Sequence, residues 1–268
     1  MTWLTVLKKP AQVLKKSVRD SKWVLTNSLW HSLIPILKYR AKQRLSQLHP
    51  GQVTIVTVNW NSSRYLEVLL KLVRARSSES TRILVVDNAS QDGTRTLLEA
   101  YPDVKVVWLP VNLGHDIALD IGFLLVDTEY VVALDVDAFP LHDKWLDELI
   151  APLSTQVQVS GARLNRQYVH PCCFAIRTAR FVERSHSFRS NYRPRCEGRD
   201  ASGDVGENIS AAEYKQIQFF DPTEQRGPGD VGTVFGGFVY HNFYSTRFQA
   251  TTEKVLDAHV VQSDAATA

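Results

Sequence analysis

Asp135-Val136-Asp137 closes the apolar run Tyr130-Val131-Val132-Ala133-Leu134. Two carboxylates two residues apart, where a buried strand runs out, can hold a hard divalent cation through oxygen ligands. Such a cation can neutralise the charge of a diphosphate. At this chain's Asp content one such pair is expected about once by chance, so its meaning depends on what precedes it. Three upstream apolar runs also end on polar residues: Asn59-Trp60-Asn61, Asp87-Asn88 and Asn112. Asn and Asp are common turn residues. Four such ends together are nevertheless what a site for a polar ligand and a metal needs.

The elements that must carry these residues alternate along the chain. Residues 53–58, 82–86, 104–109 and 130–134 read as strands, and residues 64–76, 93–100 and 114–126 as helices. Short β-rich runs alternating with helical patterns predict an α/β fold: a Rossmann-like, mostly parallel sheet with helices on both faces. Ligands of such sheets sit at the carboxyl ends of the strands. Further on, residues 157–161, 172–177 and 233–240 read as strands and 207–216 as a helix, while the Arg-rich stretch 188–206 reads as a loop. The cysteines, Cys172, Cys173 and Cys196, are odd in number and two are adjacent, which suits neither a disulfide framework nor a zinc site. His170-Pro171-Cys172-Cys173 therefore reads as buried strand rather than as a metal cluster, and the chain as one from a reducing compartment.

Charge divides the chain. Residues 1–49 hold ten Lys/Arg against one acid, +9, while the remainder holds 21 basic and 27 acidic residues, −6. In the basic segment Trp23, Val24, Leu25, Leu29, Trp30, Leu33, Ile34 and Leu37 recur at roughly helical spacing, with Pro35 expected to kink or end the helix. A Trp-bearing apolar stripe beside basic residues fits an amphipathic helix in a membrane interface. The alternative is that the stripe docks on the protein's own body or on a second subunit. A nucleic-acid partner is not expected, because it would leave the apolar stripe unexplained. No stretch reaches the roughly 18 apolar residues of a membrane span, and the first twenty lack the apolar core of a signal peptide. The expected location is cytoplasmic, peripheral on the inner face of the membrane.

Four segments, VTIVTVNWNSSRYLEVLL from Val53, ILVVDNASQDGT from Ile83, NLGHDIALDIG from Asn112 and VVALDVDAFP from Val131, together resemble glycosyltransferase family 2 in order, spacing and strand-end placement. The resemblance implies the A-type glycosyltransferase fold. It implies an arm at 1–49, a catalytic domain at 50–250 divided into a nucleotide-binding half (50–140) and an acceptor half (141–250), and a tail at 251–268. It also implies an inverting transfer of a sugar from a nucleoside-diphosphate donor, of the UDP or dTDP type, to a carbohydrate or lipid-linked acceptor, with Mn2+ or Mg2+ as cofactor.

Carried over residue by residue, the resemblance assigns Thr57, Val58, Asn59, Asp87, Asn112, Gly114, Asp116, Asp135 and Arg247 to the nucleotide sugar. It assigns Asp135, Asp137 and His241 to the metal. Inverting transfer needs one base for the acceptor hydroxyl; the resemblance places it at Asp204, with Glu207 as alternate. Ser90 and Asp92 read as helix N-caps instead. Four departures stand out: His115 where the family has an aromatic, Asp116 where it has a small residue, Asp120 where it has Asn, and Gly203 where it has Glu. A sugar-phosphate nucleotidyltransferase shares the sheet architecture, but the first strand end, Asn59-Trp60-Asn61-Ser62-Ser63, lacks the expected Gly-rich loop. A catalytically degenerate nucleotide-sugar-binding scaffold is the non-enzymatic alternative.

Overall fold

The computed structural model describes residues 28, 30–163, 168–189, 205–226 and 232–242. Asp204 and Arg247, most of the expected arm and the whole tail lie outside the described residues. The first half alternates as the sequence predicts. A helix over residues 30–44 (α1) is followed by β1 (His49–Asn59), α2 (Ser63–Arg76), β2 (Arg82–Asp87), α3 (Thr94–Glu99), β3 (Lys105–Trp108), α4 (His115–Leu125) and β4 (Thr128–Leu134). β5 (Ala138–Pro140), α5 (Trp145–Ile150), β6 (Val159–Arg163), β7 (Val169–Arg177) and α6 (Thr178–Glu183) come next, then α7 (Glu207–Ala212), β8 (Ile217–Phe220), β9 (Pro222–Arg226), β10 (Gly232–Phe235) and β11 (Val239–Asn242).

Seven strands form the central sheet in the order β3-β2-β1-β4-β7-β6-β8. β3, β2, β1 and β4 run parallel, and β7 joins β4 antiparallel. Both faces are covered, which explains why these strands are near-continuous apolar runs instead of alternating polar and apolar residues. Their side chains still alternate by face. Val53, Ile55, Ile83, Val85, Val132 and Leu134 join one core layer with Tyr65, Leu66 and Leu69 of α2. Val56, Val58, Leu84, Val86, Val131 and Ala133 join the other with Ile117, Ile121 and Phe123 of α4. Asn59 pairs with Asp87 and Asp87 with Trp108, so the carboxyl ends of β1, β2 and β3 lie level at one edge.

A second, four-stranded antiparallel sheet, β5-β11-β10-β9, sits beyond β4. The single strand expected at 233–240 is in fact the hairpin β10–β11. Gly236 and Gly237 turn it at φ +58° and +79°, a conformation that favours glycine.

Pro35 does not end α1, which continues to residue 44. Interior proline costs roughly 3 kcal/mol, and burial of Ile34, Leu37 and Ala41 in the α4-side core offsets it. The apolar stripe is thus divided. Ile34 and Leu37 dock on the body, while Leu33, Ile36 and Tyr39 face outward at 37%, 53% and 65% exposure.

Candidate active site

The acidic pair sits in a tight turn. Asp135 N–H donates to the Cys172 carbonyl of β7 (3.2 Å), and Ala138 N–H returns to the Asp135 carbonyl (2.9 Å). The chain then enters β5, where Ala138 pairs with His241 of β11. Asn242 N–H donates to the Asp137 carbonyl at 3.0 Å. This ladder carries His241 onto the carboxylates: Nε2 lies 3.3 Å from Asp137 Oδ1 and 3.6 Å from Asp135 Oδ2. From the opposite side, His115 Nε2 lies 3.2 Å from Asp135 Oδ1.

His115 is the first residue of α4, and the strand-end asparagines hold that helix in place. Asn88 donates its side-chain N–H to the Gly114 carbonyl (3.2 Å) and to Asn112 Oδ1 (3.3 Å), and accepts from Leu113 N–H (2.8 Å). Gly114, the N-cap, has φ +99°, where a side chain would be strained.

Electrostatics couples the cluster. Burial pushes the Asp135 carboxyl up, but the charge and hydrogen bond of His115, then His241 and His170, overcome it and hold Asp135 below the usual carboxylate range. Burial likewise opposes a charge on His115 and His241, yet the facing carboxylates raise both imidazoles above their ordinary value, Asp135 acting first on His115 and Asp137 first on His241.

These groups floor a cleft of about 440 Å3 lined by Val58, Trp60, Ser62, Asn88, Asn112, His115, Asp135, Val136, Asp137, His170, Pro171, Val205 and His241. Five of the residues expected at the site line it: Val58, Asn112, Asp135, Asp137 and His241. The others that the structure describes lie around it. Thr57 is fully buried beneath the floor. Asn59 turns inward, its Nδ2 facing Asp87 Oδ1 (3.0 Å), Ser90 Oγ (3.0 Å) and Thr94 Oγ1 (2.9 Å). Asp87 also accepts from Ser90 N–H at 3.0 Å and lines a neighbouring hollow of about 260 Å3 with Arg95 and Trp108. Asp116 occupies the first turn of α4; burial, partly offset by backbone hydrogen bonds and the charges of His115 and Arg189, raises its carboxyl above the ordinary value. Glu207 opens α7 directly after the cleft-lining Val205, behind Gly206 at φ +88°.

Trp60, Ser62, Asn88, His115 and His170 were not among the expected binding residues. The signal for Trp60 was local, since a large aromatic just past a strand end leaves its ring exposed, here by 49%. His170 carried one, the His/Cys cluster at 170–173, which reads as buried strand in the sequence; the β4–β7 pairing brings it to the cleft.

Among the described residues, two triads could hold a cation, each with its ligand atoms within 4.8 Å of one another: Asp135, Asp137 and His241, and His170, Cys172 and His241. The first supplies two hard oxygens and an imidazole, a donor set that suits Mn2+ or Mg2+.

A mostly parallel sheet with a strand-end Asp-x-Asp at its cleft is the arrangement of the A-type glycosyltransferase fold. The model of glycosyl transferase family 2 matches residues 54–192, and the chain belongs to that family. It is 31% identical over 97 residues to a Bacillus subtilis protein named as a teichuronic acid biosynthesis glycosyltransferase, TuaG, and 29% identical over 90 residues to an uncharacterized glycosyltransferase of Nostoc. Those matches cover 35% and 32% of this chain and 36% and 28% of the relatives, so the chain spans about a third of the length of the curated relatives it matches. Among solved structures, a mannosyltransferase of Pyrobaculum calidifontis in complex with GDP-Man and Mn2+ aligns at TM-score 0.50 and 18% identity, over 76% of this chain and 66% of that one. Residues 1–349 of S. aureus TarS, in complex with UDP-GlcNAc, align at TM-score 0.50 and 17% identity, over 67% and 60%. At these identities the likeness shows the fold. Among the described residues no helix is long and apolar enough to cross a membrane.

Proposed function

We propose that this glycosyltransferase moves a sugar from a nucleoside-diphosphate donor to an acceptor hydroxyl with inversion, and that it needs a divalent cation. The observation that carries this reading is the meeting of Asp135, Asp137 and His241 on the cleft floor, brought together by two different sheets. Asp137 and His241 would hold the cation, with Asp135 beside them clamped by His115 and His241. A bound cation there supplies charge neutralisation for the leaving diphosphate.

The remaining roles are supported by position in the cleft for the described residues and by the sequence resemblance for Asp204 and Arg247. The exposed indole of Trp60 offers a stacking face for the base. Asp87, at the hollow beyond, would read the base by accepting an N–H. Asp204, next to the cleft-lining Val205, would take the proton of the acceptor hydroxyl, with Glu207 as alternate. As that oxygen bonds the anomeric carbon, the bond to the diphosphate breaks on the opposite face, and one displacement inverts the centre. Arg247 would add positive charge for the diphosphate.

The donor is of the UDP or dTDP type, with GDP as the competitor that the Pyrobaculum complex suggests. The name of the Bacillus relative supports an acceptor from surface-polysaccharide synthesis, free or lipid-linked. A +9 charge over residues 1–49 and the outward Leu33, Ile36 and Tyr39 support attachment to an anionic membrane face.

Thermal unfolding with a panel of nucleoside diphosphates and their sugars, with and without Mn2+ or Mg2+, tests the central claim. One nucleotide should raise the midpoint only when metal is present, by mass action on the native state. Equal shifts with and without metal would refute metal dependence. No shift by any nucleotide would refute the donor class.

A further inference from the structure

The hollow beyond Asp87 carries opposite chemistry on its two sides. Asp87 on β2 pairs in register with Trp108 on β3, so the two side chains rise from the same face of the sheet. Arg95, in the first turn of α3, lays its guanidinium over the Trp108 indole, 4.2 Å from the ring centroid. All three residues line the hollow. Stacking occupies the face of the guanidinium and leaves its N–H groups, which lie in its plane, at the edge. Among the described residues no ion pair or hydrogen bond takes them up. The carboxylate keeps capacity as well. Asp87 Oδ1 accepts from Asn59 Nδ2 and Oδ2 from Ser90 N–H, and each oxygen has a second lone pair. One small space is thus offered acceptors by Asp87 and donors by Arg95.

The hollow adjoins the cleft at the end of β2, where Asp87 lines the one and the next residue, Asn88, the other. Asn61 N–H donates to Ser90 Oγ (2.9 Å), and Gln91 N–H donates to Asn61 Oδ1 (2.7 Å). These bonds hold Trp60 beside the loop whose Ser90 and Gln91 wall the hollow. With the base stacked on Trp60 and read by Asp87, as proposed above, its edge continues toward Arg95. A carboxylate reads a ring N–H. Uracil and thymine carry one at N3 and guanine at N1, and a carbonyl oxygen, O4 or O6, stands next to it. Cytosine and adenine carry a bare ring nitrogen there and an amino group beside it.

We propose that Arg95 donates to that carbonyl oxygen and is a specificity-determining residue for the base, so that Asp87 and Arg95 together select bases with a carbonyl at this edge over bases with an amino group. The assignment rests on the donor-binding reading and deepens it. Uracil satisfies both side chains at once. Cytosine satisfies neither: its bare nitrogen faces the carboxylate and its amino hydrogens face the guanidinium, so that charged groups lose water and gain no partner. The two bases are alike in size, and their nucleotides carry the same diphosphate, so contacts elsewhere in the cleft do not separate them. The Trp108 indole holds the guanidinium in place for this role.

The test is titration calorimetry in the presence of Mn2+ with three pairs, UDP and CDP, dTDP and dCDP, and GDP and ADP, using the pair whose first member the wild type binds. The wild type should prefer that first member. Arg95→Met keeps an unbranched chain to lie on the indole but no donor. It should weaken the first member about 10-fold and the second by no more than about twofold, so that the preference falls. Arg95 is exposed, and the variant should keep the wild-type unfolding midpoint, which separates a lost contact from a folding defect. Equal weakening of both members would make Arg95 a general contact to the phosphates and overturn the assignment. So would an unchanged preference in Arg95→Met, or a wild type that binds both members equally. A wild type that binds none of the six with Mn2+ refutes the donor-binding reading itself, and the role of Arg95 falls with it.

Discussion

His241 faces Ala138 across the β5–β11 ladder, and this register, not proximity in sequence, sets its Nε2 3.3 Å from Asp137 Oδ1. The pair is thus held by backbone hydrogen bonds on both partners, as a ligand pair must be to bind without reorganising. Asp137→Ala and His241→Ala should each abolish metal-dependent nucleotide binding. Loss of an outer-shell partner alone costs roughly 10–100-fold in metal affinity, and loss of a ligand should exceed that. Asp137 supports no core, so the alanine variant should keep its unfolding midpoint in the absence of metal. Titration of Mn2+ with nucleotide present checks this, and wild-type affinity in Asp137→Ala would remove the residue from the cation site.

The frame of the site was legible in the sequence because central parallel strands are short apolar runs, and what ends them is polar. Asp135, Asp137 and Asn112 followed from that pattern, while Val58 came from the family resemblance. The same pattern could not say which strand-end groups turn inward. Asn59 turns inward and spends its amide on Asp87 and Ser90, tying β1 to β2, while Asp87 still lines the neighbouring hollow. Such a choice depends on register, which a single chain does not display. His115 was visible only as a departure from the family pattern, and its pairing with Asp135 needed the placement of α4. His170 needed the antiparallel pairing of β7 with β4. The stripe on α1 was read correctly as apolar, but periodicity could not show that α4 would cover part of it.

Asp120 provides a pH test of the packing behind the site. Its carboxylate, 1% exposed on α4, accepts from Phe188 N–H (2.8 Å), Ser187 Oγ (2.5 Å) and Trp30 Nε1 (3.4 Å), tying α1 and the segment after α6 to the helix that carries His115. Burial outweighs these bonds and raises its pKa from 3.8 to about 6. The folded state therefore holds this proton more tightly than the unfolded chain. The associated stability is fully present below about pH 4 and lost as pH rises through 6, a swing on the order of 3 kcal/mol. Asn keeps an acceptor for Phe188 without the charge. Asp120→Asn should flatten the decline in stability between pH 4 and 6 and match or exceed the wild type above it. Parallel denaturant midpoints for the two proteins across that range would show that Asp120 does not titrate there.

Gly122 tests how closely α4 must approach the sheet. In an open helix, Gly to Ala stabilises by about 1 kcal/mol. Here the added Cβ would stand 2.4 Å from Val56 Cγ1 and 3.1 Å from Val86 Cγ2, on the two strands beneath. Both valines are fully buried, and a β-branched side chain has little rotamer freedom with which to yield. Overpacking of this kind costs about 1–3 kcal/mol, so the clash should win and Gly122→Ala should lower the unfolding midpoint by several degrees. To relieve the contact α4 must lift from β1 and β2, and its first residue moves with it. His115 would then leave Asp135 Oδ1, and metal-dependent nucleotide affinity should fall together with stability. A variant with a raised midpoint and unchanged affinity would show that α4 has room to spare and that the position of His115 does not depend on this close approach.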